Sequence, residues 1–339
     1  MSKKNLSVNL KNGFKEFKDL SNIFINFKNK LNHLNKKSYV VAVSGGPDSL
    51  ALVALTKAYT YLKKTKFRYV LINHSIRKNS AQEAKQVKKL LKKNQISLHV
   101  ILNKKKIIKN IQGQARSVRY EMLLEYCKKK KINIILTAHN LEDQVETFFI
   151  RLSRGSGLTG LSAMKPLRKL SSGVKLYRPL LDVKKKFLIK ISKNTFGKYF
   201  EDPSNTDQKY LRTKIRNLKK PLKTSGIEYE QIIKSINNLA SSKATLDEYF
   251  SKVFKEIIKK SKKEILIDLK KFNNLNKEIK IGVLNESIKK LKKNYYNPRS
   301  KKVKNLINNL ESKNFKKSTL GGCLFIKKKD QLCLKIEKT

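Results

Sequence analysis

The spacing of apolar and polar positions changes along the chain, and each change marks an element. Residues 39–44 (YVVAVS) form a short β-branched run that stops at Gly45, Gly46 and Pro47, and residues 49–61 then follow a helical period. The same strand-then-helix pattern returns at 67–73 (FRYVLIN) and 80–93, where Ser80 followed three positions on by Glu83 predicts a capping box. Residues 98–102 predict a third strand and 111–130 a long basic helix. Residues 132–138 (INIILTA) predict a fourth, buried strand, followed by a helix over about 142–153. A further strand at 175–180 precedes a basic helix near 184–195. Strands alternating with helices predict right-handed crossovers and an α/β, doubly wound parallel sheet. Ligands of such sheets sit at the carboxyl ends of the strands, here segments 44–49, 73–77 and 138–143.

Outside that block the pattern differs. Phe14, Phe17, Leu20, Ile23 and Phe24 recur at helical spacing within residues 1–38 and predict a docking helix. From Pro221 onward the chain is Lys-rich and Asn-rich, with helical spacing at Ile232, Ile236 and Leu239 and again at Ile281, Leu284 and Ile288. Residues 319–336 alternate around a KKKDQ turn and predict a terminal β-hairpin. The expected organisation is an N-terminal helical extension over 1–38, an α/β domain over 39–220, and a smaller helical domain over 221–339 ending in the hairpin.

Composition then narrows the partners. Of 339 residues, 79 are Lys or Arg and 25 are Asp or Glu, a formal net charge of +54. An AT-rich genome would enrich Lys, Asn and Ile without selection on charge, but acids stay scarce, and so large a positive field repels itself without anionic company. A polyanion, nucleic acid first, is the expected partner. No apolar stretch approaches the roughly 18–20 residues that span a bilayer. The basic N-terminus lacks an apolar h-region, and Cys127, Cys323 and Cys333 form no CxxC pair. A cytoplasmic location is expected, with no membrane and no obligatory protein partner.

The strongest chemical signal is SGGPDS, residues 44–49. Gly45 and Gly46 permit backbone conformations in which successive N–H groups converge on an anion, and the following helix adds its positive N-terminal end. Ser44 and Ser49 supply hydroxyls around Pro47, and Asp48, a carboxylate beside a phosphate site, makes sense chiefly as a ligand of Mg2+. The second signal spans 137–161 (TAHNLEDQVETFFIRLSRGSGLTGL). His139, Asp143 and Glu146 at i, i+4, i+7 share a helix face, where two carboxylates can hold a metal or an attacking amine. The GxGxxG formed by Gly155, Gly157 and Gly160 follows a helix rather than a strand and is rejected as a dinucleotide fingerprint. Third, QARSVRY places Arg116, Arg119 and Tyr120 on one face, suited to gripping phosphate. Only 11 residues are Arg, and most of these lie between Arg77 and Arg216, in or beside these motifs. Fourth, a polar loop (EDPSNTD) leads to Arg212 and Arg216 at i, i+4.

SGGPDS after a buried strand resembles the PP-loop of the ATP pyrophosphatase superfamily, whose members cleave ATP between the α and β phosphates; no Walker A pattern occurs. Taken in order, SGGPDS, NHSIR, QARSVRY, AHNLEDQVET, RGSGLTGL, YRPLL and DPSN followed by RTKIR resemble the tRNA(Ile)-lysidine synthetase family over about residues 39–221. The resemblance implies a PP-loop, adenine nucleotide alpha hydrolase-like fold. It also implies lysidine formation at the wobble cytidine of tRNA(Ile) bearing a CAU anticodon, with ATP, Mg2+ and free L-lysine. It places nucleotide at Ser44, Gly45, Gly46, Pro47, Asp48, Ser49 and His74, and metal at Asp48 and Asp143. Asp48, Asp143, Glu146, Arg116 and His139 become the expected catalytic set, and Arg119, Arg151, Arg154, Arg212 and Arg216 the expected tRNA contacts. The basic tail is similar in type to the family's first C-terminal domain; the second one of longer members has no counterpart here.

This sequence departs from the family's HHxDDQxET stretch: Asn140 stands at the second His and Glu142 at the first Asp. Thr213 replaces a common Asn between the two arginines, and Asn73 precedes His74 where Asp is frequent. Two rivals remain, a PP-loop tRNA thiolation enzyme, which would need catalytic or cluster-binding cysteines, and a non-catalytic RNA-binding protein on a nucleotide-binding fold. A small-molecule amidating PP-loop enzyme would have no use for the charge.

Overall fold

A computed structural model describes residues 10–12, 14–76, 79–105, 111–170, 173–201, 207–261, 264–292, 298, 300–312 and 315–337. Arg77 and most of the EDPSNTD loop, residues 202–206, lie outside the described residues. The chain divides into two compact units, residues 1–240 and 241–339.

Unit 1 runs α1 (Lys18–Leu34), β1 (Ser38–Val43), α2 (Pro47–Thr60), β2 (Lys66–Asn73), α3 (Ser80–Lys93), β3 (Leu98–Leu102), α4 (Ile111–Lys130), β4 (Ile134–Leu136), α5 (Leu141–Leu152), α6 (Leu158–Leu161), β5 (Leu167–Lys169), β6 (Lys175–Tyr177), α7 (Lys185–Phe196), α8 (Leu211–Asn217), α9 (Lys219–Thr224) and the start of α10 (Tyr229–Ile257). The sheet order is β3-β2-β1-β4-β6-β5, and every pairing is parallel except β5 with β6. The expected doubly wound sheet is therefore present, with an antiparallel edge that the sequence did not announce.

Period-2 alternation explains how both faces are covered. Val41 and Val43 of β1, Tyr69 and Leu71 of β2, and Ile134 and Leu136 of β4 join one cluster with residues of α1, α2, α3 and α7. Val40, Val70 and Ile135 point the other way, onto Leu123, Tyr126 and Cys127 of α4. The N-terminal helix docks, but it begins later than its spacing predicted: Phe17 is the N-cap and Phe14, at φ +63°, precedes the helix. Leu20 and Phe24 are buried with Phe27 and Leu31, which continue the stripe, and Lys30 ties the helix to the Pro179 carbonyl (2.9 Å) and Asp182 (2.6 Å).

The expected capping box on α3 is absent. Asn79, not Ser80, occupies the N-cap, and it makes no side-chain cap hydrogen bond, so Ser80 lies one position too far into the helix. The start of α10 belongs to unit 1, where Tyr229, Ile232 and Ile236 pack with Leu141, Val145 and Ala163. The division after residue 240 thus falls inside α10, downstream of the expected boundary at 220.

Unit 2 holds the rest of α10, then β7 (Ile258–Lys260), β8 (Glu264–Asp268), α11 (Leu269–Asn273), α12 (Lys277–Leu291), α13 (Ser300–Glu311), β9 (Lys317–Leu320), β10 (Cys323–Lys328) and β11 (Gln331–Ile336). The expected hairpin is β10–β11, closed by Lys328 opposite Gln331. It is the middle of a five-stranded antiparallel sheet, β7-β8-β11-β10-β9, against which the helices pack a second core including Ile265, Ile267, Val283, Leu284 and Phe325. Among the described residues no helix is long and apolar enough to cross a membrane.

Candidate active site

In unit 1 the chain winds from β1 outward to β3 and restarts at β4 on the other side of β1. The switch point lies between the carboxyl ends of β1 and β4, where such sheets bind ligands. Segments 44–49 and 137–143 meet there.

The SGGPDS segment forms a tight turn into α2, with Gly46 at the N-cap and Pro47 in the first turn. Gly45 has φ +89°, and a Cβ there would lie 2.6 Å from Val87 Cγ2, so both the backbone and the packing require glycine. Its carbonyl accepts from the Phe200 N–H at 3.1 Å. The Ser49 hydroxyl is folded back into the turn. It accepts from the N–H groups of Ser44 (3.2 Å) and Gly45 (3.1 Å) and donates to the Gly46 carbonyl (3.0 Å). Two amides expected to face an anion are thus engaged by a side chain of the motif itself.

Asp48 carries the unusual chemistry. Its Oδ1 is buried without a hydrogen-bond partner. Burial pushes its carboxyl up to about 6; Lys185 and a hydrogen bond from Asn140 oppose this, and the neighbouring Asp143 and Glu142 reinforce it. An orphaned carboxylate oxygen among other acids fits a hard divalent cation, which would supply the missing partner and counter the repulsion. Asp48 Oδ1 can therefore serve as one ligand of Mg2+; among the described residues no group of three His, Cys, Asp or Glu is gathered to hold a metal.

Beyond β4, Asn140 is the N-cap of α5. Its side chain accepts from the Asp143 N–H (3.0 Å), and Asp143 Oδ2 accepts from the Asn140 N–H (3.1 Å), forming a capping box that the N-x-x-D spelling could have revealed. Glu142, the other departure from the family pattern, accepts from the Lys185 N–H (2.8 Å) and so caps α7. Asp143 and Glu146 share a face of α5 as expected, but His139 does not join them on it, because the helix begins only at Leu141; Arg212 and Arg216 of α8 close on the two acids. Arg212 donates to Glu146 Oε2 (2.5 Å) and to Asp143 Oδ1 (2.6 Å), and Arg216 donates to Glu146 Oε1 (2.6 Å). Glu146 is 3% exposed.

His139 lies at the carboxyl end of β4, its Nδ1 2.9 Å from Thr137 Oγ1. Burial, then the charges of Arg178, Arg116, Arg212 and Arg119, push its imidazole down to about 3, so it is neutral at physiological pH. His74, after β2, is likewise pushed down to about 4 by burial and by Arg119, whose Nε lies 3.5 Å from His74 Nε2. On α4 the Arg116 guanidinium stacks 5.4 Å from the centre of the Tyr120 ring.

The expected tRNA contacts separate into two kinds. Arg119 and Arg154 are exposed. Arg151 instead donates to the carbonyls of Gly160 (2.6 Å) and Ala163 (2.8 Å), pinning the glycine-rich segment, while Arg212 and Arg216 hold the acids of α5. The sequence did not single out Arg178 and Lys185, whose charges act on His139 and Asp48; an arginine placed directly after a buried strand was the available signal for the first.

Residues 20–222 match the family described as the PP-loop domain. The chain is 34% identical over 310 residues to a tRNA(Ile)-lysidine synthase of Wolbachia pipientis wMel, covering 90% of this chain and 72% of that protein. It is 30% identical over 287 residues to a tRNA(Ile)-lysidine synthase of Ruegeria pomeroyi, covering 84% and 68%. Among solved structures, a U34-tRNA thiolase from Methanococcus maripaludis is similar in fold, with TM-score 0.56 and 17% identity, covering 66% of this chain and 80% of that one. With the glycine turn, the switch-point acids and these similarities in register, the chain belongs to the tRNA(Ile)-lysidine synthase family of PP-loop proteins.

Proposed function

We propose that this chain forms lysidine: it joins the ε-amine of free L-lysine to C2 of the wobble cytidine in a tRNA(Ile) with a CAU anticodon, converting ATP to AMP and diphosphate. The cytosine O2 attacks the α-phosphorus and diphosphate leaves; the lysine amine then attacks C2, and the C2–O2 bond breaks as AMP departs. Adenylation is needed because O2 is by itself an impossible leaving group. The cytidine must leave its stack to enter the cleft.

The residues divide this work by their environments. The 44–49 turn and the first turn of α2 receive the triphosphate, whose charge the helix end favours. Asp48, with Asp143 opposite, would hold Mg2+, which when bound offsets negative charge on the departing diphosphate. Neutral His139 and the Arg116 guanidinium stand by the α-phosphate. Free lysine's amine, with an ordinary pKa near 10.4, is neutral in only about 1 molecule in 2500 at pH 7 and needs a carboxylate to orient it and take its proton. Asp143 and Glu146 are the carboxylates in place for that task, both held by Arg212 on one face of α5. Exposed Arg119 and Arg154 are suited to tRNA phosphates.

The observation that carries this assignment is Asp48, two residues after Gly46, whose buried Oδ1 has no hydrogen-bond partner. Its test is incubation with ATP, Mg2+, radiolabelled lysine and tRNA(Ile) carrying CAU. Label should enter the RNA with one AMP released per lysine; AMP release without label would refute the lysine step, and ADP release would refute the whole scheme.

A further inference from the structure

Leu136 pairs with Tyr177, and the Thr137 N–H donates to the Tyr177 carbonyl at 3.0 Å. The parallel register of β4 and β6 therefore sets Arg178 beside the 137–139 segment, at the carboxyl edge that holds the site. Arg178 is 4% exposed. Its Nη1 donates to the Lys165 carbonyl at 2.8 Å, its backbone N–H donates to the Pro166 carbonyl at 2.9 Å, and the Tyr120 hydroxyl also engages it. Its Nε is buried with no acceptor.

Among the described residues no carboxylate pairs with Arg178, and its charged neighbours, Arg116 and Arg168, are both cations. Arg212 and Arg216 nearby have their acids; Arg178 has none. Burying a guanidinium without a counter-ion is costly, and gathering like charges around it adds to the cost. A bound phosphate removes both penalties and supplies the acceptor that Nε lacks.

We infer that Arg178 is a catalytic residue that grips the α-phosphate of ATP and holds AMP as the leaving group, with Arg116 completing the grip. This rests on the adenylation proposed above. Because the guanidinium is screened from water, it stabilises charge developing on that phosphate more than an exposed arginine can.

The competing role is a structural pin on residues 165–166, and calorimetric binding of AMP and of adenosine to wild type, Arg178→Lys and Arg178→Gln separates the two. Gln still donates to the Lys165 carbonyl without charge; Lys keeps the charge without the fork. Adenosine affinity should stay within about twofold in both variants, while AMP affinity falls about tenfold in Arg178→Lys and about a hundredfold in Arg178→Gln. Equal AMP affinity in all three proteins, or equal losses for AMP and adenosine, would overturn the inference. In the unsubstituted protein AMP, but not adenosine, should shift a slowly exchanging arginine Nε–H resonance downfield, a readout that needs no variant to fold; no shift overturns it too. Normal lysidine formation by Arg178→Gln would remove Arg178 and leave the reaction standing, whereas wild type that binds neither ligand would end both.

Discussion

Arg212 reaches back 66 residues along the chain to place its Nε 2.5 Å from Glu146, and its other arm holds Asp143. With Arg216 on the second Glu146 oxygen, α8 is tied to α5 through two carboxylates and two guanidiniums. Removing one arginine leaves Glu146 with a partner; removing both leaves a buried charge alone. Arg212→Ala and Arg216→Ala should each cost about 1–3 kcal/mol, less than a fully buried pair because both arginines are partly exposed, and the double variant should cost more than the sum. Urea midpoints with m-values check this; strict additivity would show that the two arginines act independently.

Asp48→Asn should stabilise the fold while abolishing lysidine formation. The carboxyl titrates near 6 in the folded chain against an ordinary 3.8, so the folded state binds the proton more tightly and stability falls as pH rises from about 4 to 6. The amide escapes that loss, which amounts to at most about 3 kcal/mol. Thermal melts of the two proteins should differ at pH 7.5 and converge near pH 4; a variant less stable at pH 7.5 would contradict the assigned desolvation.

The buried imidazole of His139 slopes the other way. Its folded pKa near 3 lies below the ordinary 6.5, so its contribution is complete above about 6.5 and is lost progressively as pH falls toward 3. His139→Asn should flatten the acid-side decline in stability between pH 6.5 and 4.5. In the wild type the ring nitrogens of His139 should keep a neutral NMR pattern at pH 5, and a protonated pattern there would refute the arginine-ringed burial.

Two arginines three residues apart should behave differently. Arg154→Gln, at an exposed position, should leave stability within about 0.5 kcal/mol, weaken tRNA binding and lower the salt slope by about one. Arg151→Gln should instead destabilise the fold by about 1–3 kcal/mol, because the carbonyls of Gly160 and Ala163 lose a charged donor. Filter binding across a salt series, paired with denaturation, distinguishes them.

Much of unit 1 was legible because its strands are short apolar runs punctuated by glycine or by helix starts, signals contained in a dozen residues. Local spacing failed where the decisive partner was remote. Arg212 and Arg216 read as anion contacts, but the anions they meet are carboxylates on α5. Strand β8 (EILID) alternates cleanly, yet its partner β11 follows more than 60 residues later, so only the hairpin was seen and the sheet around it was not. Ser80 and Glu83 had the right spacing for a box, but the helix begins one residue too early for it, at Ser80 itself. Asn140 and Glu142 looked like losses from the family pattern; each caps a helix, a role shape alone reveals.

The inward fold of the Ser49 hydroxyl means that the glycine turn does not wait with empty hands. Incoming phosphate oxygens that seek the Ser44 and Gly45 amides must evict that hydroxyl, trading one acceptor for another at little net gain in hydrogen bonding. In the proposed scheme recognition at this turn is therefore an exchange, and the surplus that favours a triphosphate over water comes from charge, beginning with the positive end of α2.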